Sequence, residues 1–209
     1  MFDSTLRQVK DQLLSPVARG PVGQVPVGAI TLAGVACTLA AAAAAWRGFI
    51  VASIILWLLG RFFDGLDGAV ARSTGRQTDF GGLMDFMADS IGYAAVPLGI
   101  AAGIDDRATW IATSVVIASF YVNAVSLGHV AALIEKTAVA KRGLTSVVMP
   151  RGLVEGTETI VVFTLALALP DSAAIIWWVF ALAVALTIAE RLRWASRILR
   201  GPTEREVTS

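Results

Sequence analysis

At 209 residues the chain has the length of one domain. Apolar residues make up 56% of it and charged residues 16%, against about 25% charged in soluble domains, and a mean hydropathy of +0.71 puts much of that surface in lipid. The net charge of +1 gives no basis for a nucleic-acid partner, and the single cysteine, Cys37 in the first apolar stretch, excludes a disulfide framework.

Residues 1–25 hold no long apolar core and are interrupted by Pro16 and Pro21, so they are not read as a cleavable signal peptide. Phe2, Leu6, Val9 and Leu13 fall on one side of a helix, with Arg7, Lys10 and Asp11 elsewhere. That pattern predicts a short interfacial amphipathic helix on the membrane surface, or a soluble-facing N-terminal helix. A membrane-crossing helix needs about 20 mainly apolar residues. Six candidate segments follow, at 26–46, 48–71, 80–103, 108–134, 153–170 and 172–194. Turn and polar residues separate them: Arg47-Gly48, Thr74-Gly75-Arg76, Asp105-Asp106-Arg107, Lys141-Arg142-Gly143 and Pro170-Asp171. The expected fold is therefore an all-α integral membrane protein with six transmembrane helices. It forms one domain over 1–209, with 1–25 juxtamembrane and 195–209 a cytoplasmic tail.

Basic residues concentrate on one side of this arrangement. Arg7, Lys10 and Arg19 precede the first span, and Arg72 and Arg76 lie in the second connection. Lys136, Lys141, Arg142 and Arg151 lie in the fourth connection, and Arg191, Arg193, Arg197, Arg200 and Arg205 near the end. The other side has Arg47 and Arg107. The positive-inside rule then puts both termini and the second connection in the cytoplasm, as for a multi-pass protein of a bacterial inner membrane.

Flanking that second connection are four carboxylates within 26 residues: Asp64 and Asp67, then Asp85 and Asp89. An acid inside the membrane is costly unless paired, hydrated or bound to metal, and so marks function by default. Spacings of three and four put each pair on one helix face. Two such helices facing each other offer an all-oxygen site, the ligand type of hard divalent cations. Gly65, Gly68, Gly81 and Gly82 remove side chains where a ligand or backbone would approach. Arg72 can grip a phosphate bidentately, and Arg61, one turn before Asp64, can pair with a carboxylate. Two ions would stabilise both the attacking and the leaving oxygen of a displacement, and a remaining carboxylate can take the proton of an alcohol. The residues point to phosphoryl transfer at a membrane surface.

Asp64-x2-Asp67-Gly68-x2-Ala71-Arg72-x8-Gly81-x3-Asp85-x3-Asp89 resembles, position for position, the signature of the CDP-alcohol phosphotransferase family. The resemblance implies an enzyme of phospholipid biosynthesis. The hydroxyl of an acceptor, a small or lipid alcohol, attacks a CDP-alcohol, usually CDP-diacylglycerol, and CMP leaves. It implies two ions of magnesium or manganese on Asp64, Asp67 and Asp85. It makes Asp89 the general base and a further metal contact, with Asp85 counted beside it as catalytic. Asp67, Gly68, Ala71, Arg72 and Gly81 would hold the CDP-alcohol, and a homodimer is implied.

The acceptor is not fixed by the motif. Glu155 and Glu158 share a helix face and either bind acceptor hydroxyls or an ammonium, or answer the dipole of a helix N-terminus. Arg151 and Lys136, with Lys141 and Arg142, either clamp an acceptor phosphate or are loop charges that set topology. The acids favour serine or a polyol; a phosphorylated polyol such as glycerol phosphate or inositol phosphate is the alternative. From another class, a divalent-cation or proton-coupled transporter would also carry buried acids, but here the acids cluster at one end of two helices. His129, the only histidine, is read as a polar residue facing a helix partner, and Tyr121, Asn123 and Ser126 as interhelical hydrogen-bonding groups. Gly99-x3-Gly103 is a packing motif of small residues, and Trp46, Trp57, Trp110, Trp177, Trp178 and Trp194 mostly fall toward segment ends, which fits interfacial anchoring.

Overall fold

The computed structural model describes residues 18, 20–140 and 156–199, and these contain helices and turns and no strand. The amphipathic pattern of residues 2–14, Arg151, Glu155 and the tail beyond 199 lie outside the described residues. Six α-helices correspond one to one with the six apolar segments. They are α1 (Val27–Trp46), α2 (Ile50–Ser73), α3 (Asp79–Ile104), α4 (Arg107–Ala140), α5 (Gly156–Ala168) and α6 (Ala173–Leu199). Short 3₁₀ turns at Pro21–Gln24 and Pro170–Ser172 precede α1 and α6.

The helix ends follow local chemistry. The turn from α1 to α2 uses Gly48 at φ +74, a left-handed conformation natural to glycine. Thr78 caps α3, its Oγ1 accepting from the N–H of Gly81 at 3.0 Å. Asp106 caps α4, accepting from the N–H groups of Ala108 at 2.8 Å and Thr109 at 3.1 Å. The Thr109 hydroxyl, followed by the Thr109 backbone, holds the Asp106 carboxyl below the usual carboxylate range.

Lipid tails are as apolar as leucine, so helices in a membrane associate through close packing and hydrogen bonds rather than apolar burial. α1 packs most extensively on α2 and α3, and α4 on α6. At Gly99 an added Cβ would lie 2.3 Å from the carbonyl oxygen of Ala42, and at Gly103 one would lie 2.6 Å from that of Ala45. The small-residue motif is thus used inside the chain, joining α3 to α1. On the other side, Arg191 of α6 donates to the Asn123 side chain at 2.8 Å and to Ser126 Oγ at 2.7 Å, tying α6 to α4. α5 joins the two groups. Its Phe163 ring is the hub of an aromatic cluster, 5.2 Å from Trp57, 5.1 Å from Trp177 and 5.7 Å from Tyr93.

The expectations for spans and for single residues fare differently. Four helices (α1, α3, α4 and α6) are long and apolar enough to cross a membrane. α5 has 13 residues, and α2, though 24 residues long, carries Arg61, Asp64, Asp67 and Arg72. Trp57 and Trp177 are fully buried core residues rather than interfacial anchors. His129 and Tyr121 are both exposed rather than packed among the described residues.

Candidate active site

The C-terminal half of α2 and the N-terminal half of α3 lie at one end of the bundle, joined by the connection through Gly75. All four motif aspartates line one cavity there, of about 710 Å³, and so do Gly68, Ala71, Arg72 and Gly81. The helical spacing therefore does what the sequence implied: each pair looks the same way, and the two pairs look at each other. A smaller cavity of about 270 Å³ at the opposite end, between Gly48, Ile104 and Asp171, carries a single acid and no comparable cluster.

The four acids differ in setting. Asp67 is 4% exposed, and its Oδ2 accepts from the Thr31 hydroxyl of α1 at 2.6 Å. Asp89 accepts from Arg61 NH1 at 2.5 Å through Oδ1 and from the Tyr93 hydroxyl at 3.3 Å through Oδ2. Asp85 is exposed on the cavity rim. Its carboxyl is within hydrogen-bonding reach of Asp64, and close enough to Asp67 and Asp89 for their charges to act on it. Two carboxylates in such contact repel unless a proton or a cation lies between them.

Two neighbouring features explain the glycine and arginine of the motif. A Cβ at Gly68 would come within 2.9 Å of Arg72 NH1, so the missing side chain is the room in which the guanidinium lies. Arg76, which also lines the cavity, donates to the backbone carbonyls of Gly23 and Val25 (3.3 Å to the latter). It thereby ties the α2–α3 connection to the segment preceding α1 at the cavity mouth.

The donor set suits a hard divalent cation: carboxylate oxygens from two helices, next to hydroxyls and with no cysteine or histidine among the lining residues. Among the described residues, however, no three acidic, histidine or cysteine side chains converge as a ready-made shell. The reason is visible in the contacts, since Asp67 is turned to Thr31 and Asp89 to Arg61.

Two of the residues proposed for the acceptor, Glu158 and Lys136, separate from this group. Glu158 is exposed in the first turn of α5, which faces the cavity with Gly156, Thr157 and Ile160 instead. Lys136 is exposed near the end of α4 and does not line the cavity either. Sequence reasoning missed Thr31, Tyr93 and Thr157, all in the cavity wall. Tyr93 alone left a signal, lying four residues after Asp89 on the same helix face.

A family model described as CDP-alcohol phosphatidyltransferase matches residues 27–189. The inner membrane protein YnjF of Escherichia coli (strain K12) is 34% identical over 143 residues, 68% of each chain. The archaetidylinositol phosphate synthase of Methanothermobacter thermautotrophicus is 33% identical over 102 residues, 49% of each chain. Among solved structures, the crystal structure of Mycobacterium tuberculosis phosphatidylinositol phosphate synthase with CDP-DAG bound aligns with a TM-score of 0.72 at 25% identity. That alignment covers 88% of this chain and 94% of the other. The same synthase in complex with manganese and citrate gives a TM-score of 0.70 at 23% identity, covering 87% and 88%. These matches give no support to a transporter.

Proposed function

The chain belongs to the CDP-alcohol phosphatidyltransferase family, and from that premise we propose that it makes a phospholipid by transferring the phosphatidyl group of CDP-diacylglycerol to a phosphorylated polyol. The carrying observation is the convergence of all four aspartates and Arg72 on one cavity at the end of the bundle. CDP-diacylglycerol as donor is supported by the mycobacterial synthase, whose crystal structure has CDP-DAG bound. The phosphorylated acceptor is supported by both synthases of inositol phosphate lipids among the relatives. The ground for preferring serine or a neutral polyol was an acidic acceptor pocket. Of its two acids, Glu158 does not line the cavity, while Arg72 and Arg76 do, and this favours a phosphorylated acceptor.

Asp64, Asp67 and Asp85, with Asp89 as a further oxygen, would hold the one or two divalent ions, magnesium or manganese. Such ions supply charge neutralisation along the donor pyrophosphate and at the leaving phosphate. The chain's own residues do the rest. Gly68, Ala71 and Gly81 leave room for the nucleotide, and Arg72 grips its phosphate. The acceptor oxygen forms a bond to the phosphorus that carries diacylglycerol, and the bond from that phosphorus to the CMP oxygen breaks. The hydroxyl proton passes to Asp89 as the general base. CMP leaves as an anion. The clustering of Lys and Arg supports a cytoplasmic site.

The test is release of CMP from radiolabelled CDP-diacylglycerol by purified protein in the presence of Mn²⁺. The acceptor panel is inositol phosphate, glycerol phosphate, inositol, glycerol and serine. Turnover should select a phosphorylated acceptor and cease on chelation. Activity that survives exhaustive chelation would refute the metal site, and selective use of serine would refute the acceptor.

A further inference from the structure

Asp89 is held at both oxygens by groups whose own positions are fixed by aromatic rings. Arg61 donates to Oδ1 at 2.5 Å and Tyr93 to Oδ2 at 3.3 Å. Arg61 is 8% exposed, and its guanidinium carbon lies 4.8 Å from the centre of the Trp57 ring. Trp57 is itself fully buried and stacks on Phe163 of α5. The Tyr93 ring stacks on Phe120 of α4 at 5.0 Å. The two donors thus reach Asp89 from a frame built by α2, α3, α4 and α5.

A device built only for stability would look different. A buried charge is retained at a cost, and well-packed apolar replacements are often neutral or stabilising. Arg61 moreover keeps a buried Nε with no hydrogen-bond partner among the described residues, an expense that packing alone does not explain. What the arrangement provides is orientation. A free aspartate samples several rotamers, whereas a general base must meet the proton within hydrogen-bonding reach. A misplacement of about 1 Å costs on the order of 10² in rate.

We propose that Arg61 and Tyr93 are positioning residues for the transfer reaction, holding the Asp89 carboxylate in one orientation at the cavity wall. The inference rests on the reading of Asp89 as the base. Arg61 and Tyr93 act through Asp89, so their removal lowers turnover without weakening donor binding, and their effect vanishes when Asp89 can no longer accept a proton.

The experiment compares purified full-length wild type with Arg61→Met, Arg61→Lys, Tyr93→Phe, Asp89→Asn and the double variant Arg61→Met/Asp89→Asn. Three quantities are read: kcat for CMP release with the panel acceptor that supports wild-type turnover, the equilibrium dissociation constant for CDP-diacylglycerol, and the unfolding temperature. Arg61→Met should lower kcat about 10²-fold with donor affinity within about threefold of wild type, a bound set by experimental scatter in such cycles. Arg61→Lys, which keeps the charge and a donor, should recover at least about tenfold of that loss. Tyr93→Phe removes one hydroxyl without disturbing the fold and should lower kcat roughly three- to tenfold. On the Asp89→Asn background, Arg61→Met should change kcat by less than about threefold, because residues in one network are not additive. Additive losses in the double variant would overturn the inference, as would a folded Tyr93→Phe protein with wild-type kcat. So would an Arg61→Met loss matched by lost donor binding. A wild-type chain silent with every acceptor would instead overturn the functional reading itself.

Discussion

Thr31→Val isolates one hydrogen bond of the cavity wall. Valine keeps the branched shape of threonine and removes only the hydroxyl that donates to Asp67 Oδ2 at 2.6 Å. Asp67 is 4% exposed, so water cannot easily replace the lost donor. A hydrogen bond to a charged group is worth about 1.5–3 kcal/mol net, which at 1.4 kcal/mol per decade is about 10- to 150-fold. Partners that orient a metal-ligating carboxylate typically contribute about 10- to 100-fold to metal affinity, and the two figures overlap. The Mn²⁺ concentration for half-maximal CMP release should therefore rise about 10- to 100-fold. Turnover at saturating Mn²⁺ should stay near wild type, and Thr31→Ser should behave as wild type. Superimposable Mn²⁺ titrations for wild type and Thr31→Val would refute the reasoning. A fall in saturated turnover with no shift in midpoint would do so as well, since Thr31 would then act on the chemistry rather than on the metal ligand.

Two other perturbations test the frame around the site. Gly99→Ala puts a methyl group 2.3 Å from the Ala42 carbonyl oxygen, a backbone atom that cannot swing aside. Over-packing of this kind costs about 2–3 kcal/mol, so the unfolding temperature in detergent should fall by roughly 4–12 °C; an unchanged temperature would mean that α1 and α3 are not in this contact. Tags on the two termini and in the connection at residues 74–78 should all report the cytoplasmic side, and an external C-terminus would rule out the proposed count of six spans.

The metal-ligand candidates were legible because their cost made them so. A carboxylate in an apolar helix needs a reason, and spacings of three and four say which acids share a face. The wall behind them was not legible. Thr31 meets Asp67 across 36 positions of chain, and nothing in an apolar stretch distinguishes it from Thr38: both bond the carbonyl four residues back, and Thr31 alone also reaches a carboxylate. Trp57 and Trp177 were misread for a related reason. Interfacial anchoring follows from distance to a segment end, yet α5 has only 13 residues, and its Phe163 draws both tryptophans into the middle of the bundle. Gly99 and Gly103 announced a close helix contact but not its partner, which is α1.

The same charges explain why α2 fails the apolarity expected of a crossing helix. Each is engaged within the chain before any ligand arrives: Asp67 by Thr31, Arg61 by Asp89 and the Trp57 ring, Arg72 in the space left at Gly68. Four carboxylates face three guanidiniums, those of Arg61, Arg72 and Arg76, around one cavity. These side chains alone come close to charge balance, and the negative pyrophosphate of a CDP-alcohol would upset it. Divalent cations restore it in the family reaction, and the convergence of oxygen donors from α2 and α3 gives them a place to do so. Arg61 is the exception that fits the reaction rather than the charge count. It lies one turn deeper than the motif, is 8% exposed, and pairs with Asp89, the aspartate proposed as the base.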